Sequence, residues 1–200
     1  MINEIIKLGE VYENADLKKY TTYKVGGKAD YLVLPYDIEA LVKLLKYLDH
    51  NNIKHKVIGN GSNLIFLGDY NGVLIKLDKL NNIEINDEYI KAGAGASLIC
   101  LALKCSKLGL TGMEFATGIP GTVGGAVYMN AGAYNESMSD IIESVKVLDD
   151  NYNIKELTNH DLMFNYRDSL LQHKKYICLE VNIKLNKGDI DSILELIEKR

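Results

Sequence analysis

Arg167 is the residue whose choice most needs a chemical reason. The chain holds two arginines against 21 lysines, and the other arginine is Arg200. Arg167 sits in the polar string Asn165-Tyr166-Arg167-Asp168-Ser169, straight after the apolar pair Met163-Phe164. A guanidinium is a planar, permanently charged fork that grips a carboxylate or phosphate at two points; a lysine ammonium does not. Using it once inside the chain points to an anion at that place. An ordinary surface arginine fits the same string, so the motif alone leaves both readings open.

Two further stretches carry donors. In Gly59-Asn60-Gly61-Ser62-Asn63, paired glycines let backbone amides face one way and approach a ligand closely, while Ser62 and Asn63 add a hydroxyl and an amide. Such a concave set suits phosphate oxygens without any formal charge. A plain strand-to-strand turn fits these five residues equally well. The other stretch is Glu114 to Asn135, EFATGIPGTVGGAVYMNAGAYN. It packs five glycines into 22 residues, with one of the chain's two prolines and no lysine or arginine. Each interior glycine costs a helix about 1 kcal/mol relative to alanine, so no helix is expected there. Ile119, Val123, Val127, Tyr128 and Met129 are interleaved with the glycines, which argues against a linker. Glycine this dense among apolar residues means backbone lying against something with no room for a Cβ. A flat, phosphate-bearing cofactor is the expected partner.

Two familiar phosphate motifs do not account for these runs. Gly59 and Gly61 match the first two glycines of a dinucleotide-binding fingerprint, and Asp78 lies near the distance of its ribose-binding acid. The third glycine position is Leu64, however, and residues 64–77 alternate like strands where a helix is required. Gly93-Ala94-Gly95-Ala96-Ser97-Leu98 fails the same test, and no glycine run has P-loop spacing with its lysine.

Composition sets the outer limits. Two hundred residues, 47% apolar and 25% charged, describe one large or two small globular domains. The formal net charge of −4 and the absence of a basic stripe argue against a nucleic-acid partner. No leader pattern opens the chain and no apolar run approaches the ~20 residues of a membrane span, so a cytoplasmic protein without a membrane partner is expected. Cys100, Cys105 and Cys178 are odd in number and lie in apolar contexts, which reads as buried, reduced thiols. The four histidines show no ligand spacing with each other or with the cysteines, and no metal is expected. The sequon Asn135-Glu136-Ser137 is incidental without a secretion signal.

The elements that must position these residues read as follows. Residues 1–20 suggest a short amphipathic helix, then a turn. Within Thr21 to Val25, Thr22-Tyr23-Lys24-Val25 alternates as a strand, broken by Gly26-Gly27 and resumed at Asp30–Pro35. Asp37 caps a helix over 38–49 with Ile38, Leu41, Leu44, Leu45 and Leu48 on one face. Strands follow at 55–59, 64–67 and 73–77. Beyond Leu80 the pattern turns to short strands at 83–85, 89–92, 141–149, 152–157 and 177–185. Helices are expected at 98–108 and from Asp189 or Asp191 to the end, with a helical turn after Thr158. The change of character near residue 79 divides the chain into 1–78 and 79–200.

Taken together and in order, Thr21-Thr22-Tyr23-Lys24-Val25-Gly26-Gly27, GNGSN at 59–63, AGAGASL at 92–98, EFATGIPGTVGGAVYMNAGAY at 114–134 and NYRDS at 165–169 resemble the UDP-N-acetylenolpyruvoylglucosamine reductases. These are the flavoenzymes of peptidoglycan precursor synthesis, and the likeness covers nearly the whole chain. The resemblance implies an α+β, vanillyl-alcohol-oxidase/PCMH-type FAD-binding fold of two α+β subdomains, 1–78 and 79–200. It implies non-covalent FAD contacted by Gly59, Asn60, Gly61, Ser62 and Asn63, and by Thr117, Gly118, Ile119, Gly121, Thr122, Gly124 and Gly125. NADPH would be the reductant, a UDP-sugar the substrate and UDP-N-acetylmuramate the product, with the enzyme a monomer. Arg167 matches the family's catalytic arginine and Tyr166 its substrate-contacting neighbour. The family's proton-donating serine and assisting glutamate lie in a third, C-terminal domain, and no residue of this chain matches either. The 200 residues are therefore expected to bind FAD but to turn over poorly. A flavin-binding module without catalysis is the alternative. An oxidase of the same fold with covalently attached flavin is disfavoured, since neither 59–63 nor 114–135 contains a histidine or cysteine.

Overall fold

The computed structural model describes residues 2–200 as two compact units, the first ending at Leu80 and the second spanning Asn81–Arg200. Met1, at the head of the expected first helix, lies outside the described residues.

The first unit runs α1 (Ile2–Ile5), β1 (Gly9–Asp16), β2 (Lys28–Pro35), α2 (Ile38–His50), β3 (His55–Ile58) and β4 (Tyr70–Lys76). Its sheet has the order β1-β2-β4-β3, with β1 antiparallel to β2 and β4 parallel to both β2 and β3. Parallel strands need a crossover, and α2 supplies the one from β2 to β3, which flank β4. The Asp37 side chain accepts the Ala40 amide at 2.8 Å and starts that helix. Ala40, Leu41, Leu44, Leu45 and Leu48 form its buried face. Leu32, Leu34, Leu74 and Ile58 pack with Ala15, Leu17 and Ala29, while Val33, Val73 and Ile75 are fully buried as well. Covering a sheet on both faces favours continuous apolar runs over alternation. That is why Tyr31-Leu32-Val33-Leu34 and Val73-Leu74-Ile75 read as solid blocks.

Three local expectations fail in this unit. Helix occupies only Ile2–Ile5; the residues after it form β1, with Gly9 so close to β2 that a Cβ would stand 2.4 Å from the Leu34 carbonyl oxygen. Pairing with β2, invisible to local periodicity, overrides the helical pattern. Thr21–Val25 is a turn, since Lys24 takes φ 54° and Gly26 φ 126°. Leu64–Leu67 is irregular and joins no sheet; Leu67 is 98% exposed.

The second unit is built on an antiparallel five-stranded sheet, β11-β10-β12-β6-β5. Its strands are β5 (Ile83–Asn86), β6 (Tyr89–Gly93), β10 (Ile142–Leu148), β11 (Ile154–Thr158) and β12 (Ile177–Lys184). Between β6 and β10 the chain forms α3 (Leu98–Lys107), β7 (Leu110–Thr111), α4 (Val123–Tyr128), β8 (Gly132–Ala133) and β9 (Glu136–Ser137); α5 (Leu170–His173), β13 (Asn186–Lys187) and α6 (Ile190–Lys199) complete it. The Ser97 side chain caps α3, whose Leu98, Leu101, Ala102 and Cys105 point inward. Cys100 falls off that face and is exposed, correcting its expected burial; Cys105 and Cys178 are buried, and all three are free. Burial pushes the Cys178 thiol up to about 12. The short helix α4 also overrides the helix-breaking reading of its glycines. Among the described residues no group of histidine, cysteine, aspartate or glutamate could hold a metal, and no helix is long and apolar enough to cross a membrane.

Candidate functional site

In the first unit the loop 59–63 follows β3 and is braced by the turn Thr21–Val25. Thr22 donates to the Asn60 carbonyl twice, from its amide at 2.9 Å and its hydroxyl at 3.0 Å. Thr21 is buried; its hydroxyl donates to the Leu17 carbonyl at 3.0 Å. Gly61 holds φ 64°, and a Cβ there would meet Thr21 Cγ2 at 2.9 Å. Glycine is required on both counts. Among the described residues of this unit, the amides of Gly61, which is buried, and of the half-buried Ser62 have no hydrogen-bond acceptor. Lys76, the last residue of β4, pairs in register with Ile58 and brings its ammonium 3.5 Å from Asn60 Oδ1. Nothing in the sequence distinguishes Lys76 from the other lysines, and only the parallel register reveals it.

In the second unit the expected cofactor segment begins on a buried carboxylate. Glu114 accepts the Thr111 hydroxyl at 2.6 Å and the Gly112 amide at 2.7 Å. Its carbonyl accepts the Thr117 hydroxyl at 2.8 Å, and the Ala116 carbonyl takes the Ile119 amide at 3.2 Å. Gly118 is exposed, has no heavy atom within 4 Å of where a Cβ would stand, and shows no positive φ. The chain itself therefore does not require glycine there, and that face is left open. The start of α4 is different. Val123 and Gly124 donate their amides to the Ala96 and Ala94 carbonyls at 2.9 and 2.8 Å, and Gly125 donates to Thr122 Oγ1 at 3.2 Å. The Gly121 carbonyl accepts the Leu98 amide at 3.1 Å. AGAGASL is thus the seat of α4, and Gly124 is needed because a Cβ would lie 2.8 Å from that of Ala94. Within the first unit the 59–63 loop keeps unpaired donors; within the second the face at Gly118 is open, while the amides of 123–125 are already engaged.

Tyr166 and Arg167 stand on a tight turn closed by reciprocal bonds, Asn165 amide to Asp168 carbonyl and the reverse, each 3.1 Å. Arg167 adopts φ 55°. Its guanidinium donates to the Gly132 carbonyl at 2.5 Å and, weakly, to the Asn130 carbonyl at 3.5 Å, and stacks 5.2 Å from the ring of Tyr166. Tyr166 is 84% exposed. The structure therefore joins the 165–168 turn to the MNAGA part of the glycine-rich stretch. Asn130, which no sequence argument singled out, is the rivet. It is buried at φ 40°, donates Nδ2 to the Asn165 carbonyl at 2.9 Å and accepts the Ser139 amide at 3.0 Å. Both partners are backbone atoms, so only its short amide, tolerant of a positive φ, signals the role. On the far side of the hairpin β8–β9, Arg200 grips Glu136 at 2.6 and 3.1 Å and stacks on Tyr134.

Residues 29–158 match the family model described as FAD binding domain. The UDP-N-acetylenolpyruvoylglucosamine reductase of Caldanaerobacter subterraneus subsp. tengcongensis is 43% identical over 199 residues, 99% of this chain and 66% of that protein. The chain thus spans about two thirds of that relative's length. The crystal structure of the enzyme of that name from Thermus caldophilus superposes with a TM-score of 0.80 at 32% identity, over 96% of this chain and 67% of that one. Cholesterol oxidase from Brevibacterium sterolicum, at 16% identity, shares the fold with a TM-score of 0.67 over 90% of this chain and 38% of its own. The fold is the α+β FAD-binding fold of the vanillyl-alcohol-oxidase/PCMH type. The chain belongs to the UDP-N-acetylenolpyruvoylglucosamine reductase family.

Proposed function

We propose that this chain is the FAD-binding portion of a cytoplasmic, monomeric reductase that converts UDP-N-acetylenolpyruvoylglucosamine to UDP-N-acetylmuramate with NADPH. The observation that carries the reading is Arg167, the one arginine before the terminal residue, fixed on the 165–168 turn by the carbonyl of Gly132. FAD, when bound, supplies the hydride chemistry. In the first unit, Gly59, Asn60, Gly61, Ser62 and Asn63 line its phosphates. In the second, Thr117, Gly118, Ile119, Gly121, Thr122, Gly124 and Gly125 form the flavin-facing segment, with Gly124 acting through its seat on Ala94. Hydride addition at the substrate's vinyl carbon builds enolate charge beside a carboxylate. A fixed guanidinium stabilises that charge more than it stabilises the ground state. Arg167 holds this role, and the exposed ring of Tyr166 contacts the sugar nucleotide.

No residue of the chain matches the family's proton-donating serine or assisting glutamate. The 200-residue polypeptide alone is accordingly proposed to take up FAD and to turn over slowly, since an absent acid–base partner costs about 10²- to 10⁴-fold. The visible spectrum tests the first half. A flavin band on the purified or FAD-supplemented chain, lost on denaturation, is expected; a chain that stays colourless with added FAD would undo the reading. With the C-terminal third of a relative supplied by fusion, Arg167→Ala should keep its flavin and lose about 10²- to 10³-fold in kcat. An unchanged rate removes Arg167 from the mechanism.

A further inference from the structure

Lys76 is nearly buried, with its side chain 7% exposed, yet its contacts are long: 3.3 Å to Asp78 Oδ2 and 3.5 Å to Asn60 Oδ1. An ammonium carries three donors and its ordinary bonds run near 2.9 Å. Buried lysines are normally closely paired, because an uncompensated charge away from water is costly. Asp78 is 39% exposed, so solvent shares its field and it compensates Lys76 incompletely. The position is telling. Lys76 ends β4 and stands opposite Ile58, the last residue before the 59–63 loop. Ligands of parallel sheets collect beyond the carboxyl ends of the strands. Here the carboxyl ends of β3 and β4 bring together the ammonium and a loop whose Gly61 and Ser62 amides have no acceptor within the chain.

We propose that Lys76 is a phosphate-binding residue of the 59–63 loop, supplying the positive charge that the loop's neutral donors lack, and that its ligand is the diphosphate of a dinucleotide cofactor. The inference rests on the FAD reading, but assigns it a residue that no motif of the sequence carries. Asn60 then acts as a positioning residue: its side-chain oxygen faces the ammonium, and its carbonyl is fixed by Thr22.

The test is direct titration of the apo chain with riboflavin, FMN and FAD, which share a ring system and differ in phosphate. Lys76→Met should lose about 10- to 100-fold in affinity for FAD, with little change for riboflavin. Lys76→Arg should retain most of the FAD affinity. Lys76→Gln, which keeps a polar head, repeats the measurement where methionine disturbs folding, and thermal unfolding of each variant reports whether the unit is intact. Equal losses for riboflavin and FAD, or no loss for either, overturn the role of Lys76 while leaving the cofactor reading in place. A wild-type chain that binds none of the three flavins overturns both together.

Discussion

Gly61 in the first unit and Gly124 in the second both exclude a side chain, yet their surroundings differ. Around Gly61 the backbone is left-handed at φ 64°, and the amides of 61 and 62 have no acceptor within the chain. Around Gly124 the backbone is pressed onto Ala94, and the amides of 123, 124 and 125 are all engaged inside the chain. The denser glycine run is therefore mostly an internal joint, and the sparser one is the donor surface. Glycine count alone does not tell the two apart. What separates the two is whether the neighbouring amides already have acceptors.

The sharpest way to break this contrast is Gly124→Ala. A Cβ 2.8 Å from Ala94 Cβ and 3.1 Å from its backbone oxygen forces α4 off its seat. Overpacking of this kind costs about 1–3 kcal/mol, so the urea midpoint of the second unit should fall while the first unit keeps its own. An unshifted midpoint would mean that the seat is soft. Gly118→Ala should do the reverse. With nothing within 4 Å of the added carbon, apo stability should stay within about ±0.5 kcal/mol. FAD affinity should nevertheless drop, measured by flavin fluorescence quenching, and an unchanged affinity would remove Gly118 from the cofactor surface. The smallest effect expected is on acid stability. Asp149 is held at about 2, below its usual 3.8, first by Lys155 and then by the Asn153 and Asn151 amides. Its contribution is complete above about pH 4 and is lost as pH falls towards 2. Asp149→Asn should flatten that part of the acid-unfolding curve of the second unit and leave the first unit's curve alone.

Much of the scaffold was legible because its signals are local. Asp37 and the leucines behind it give α2, and the two residues between Asn86 and Tyr89 give the β5–β6 hairpin. Apart from Cys100, which simply falls off the inward face of α3, the losses were cases where distant pairing or loop geometry won. β1 is a strand because β2 lies beside it, and Thr21–Val25 is a brace because the 59–63 loop needs one. Leu64–Leu67 carries a strand's composition without a neighbour to pair with. At the candidate site, Arg167 stood out by rarity alone. Asn130 and Lys76 did not, because each owes its role to a partner far along the chain: Asn165 for one, Ile58 and Asn60 for the other.

The hairpin β8–β9 is a shared anchor. Gly132 pairs with Ser137 and Ala133 with Glu136, so the hairpin is only a few residues long. One end offers its carbonyl to Arg167, and the other is clamped by Arg200 at the tip of α6. Arg167 and Arg200, the chain's two arginines, thus converge on one hairpin of six residues, so the anchoring of each guanidinium depends on the same short stretch of backbone.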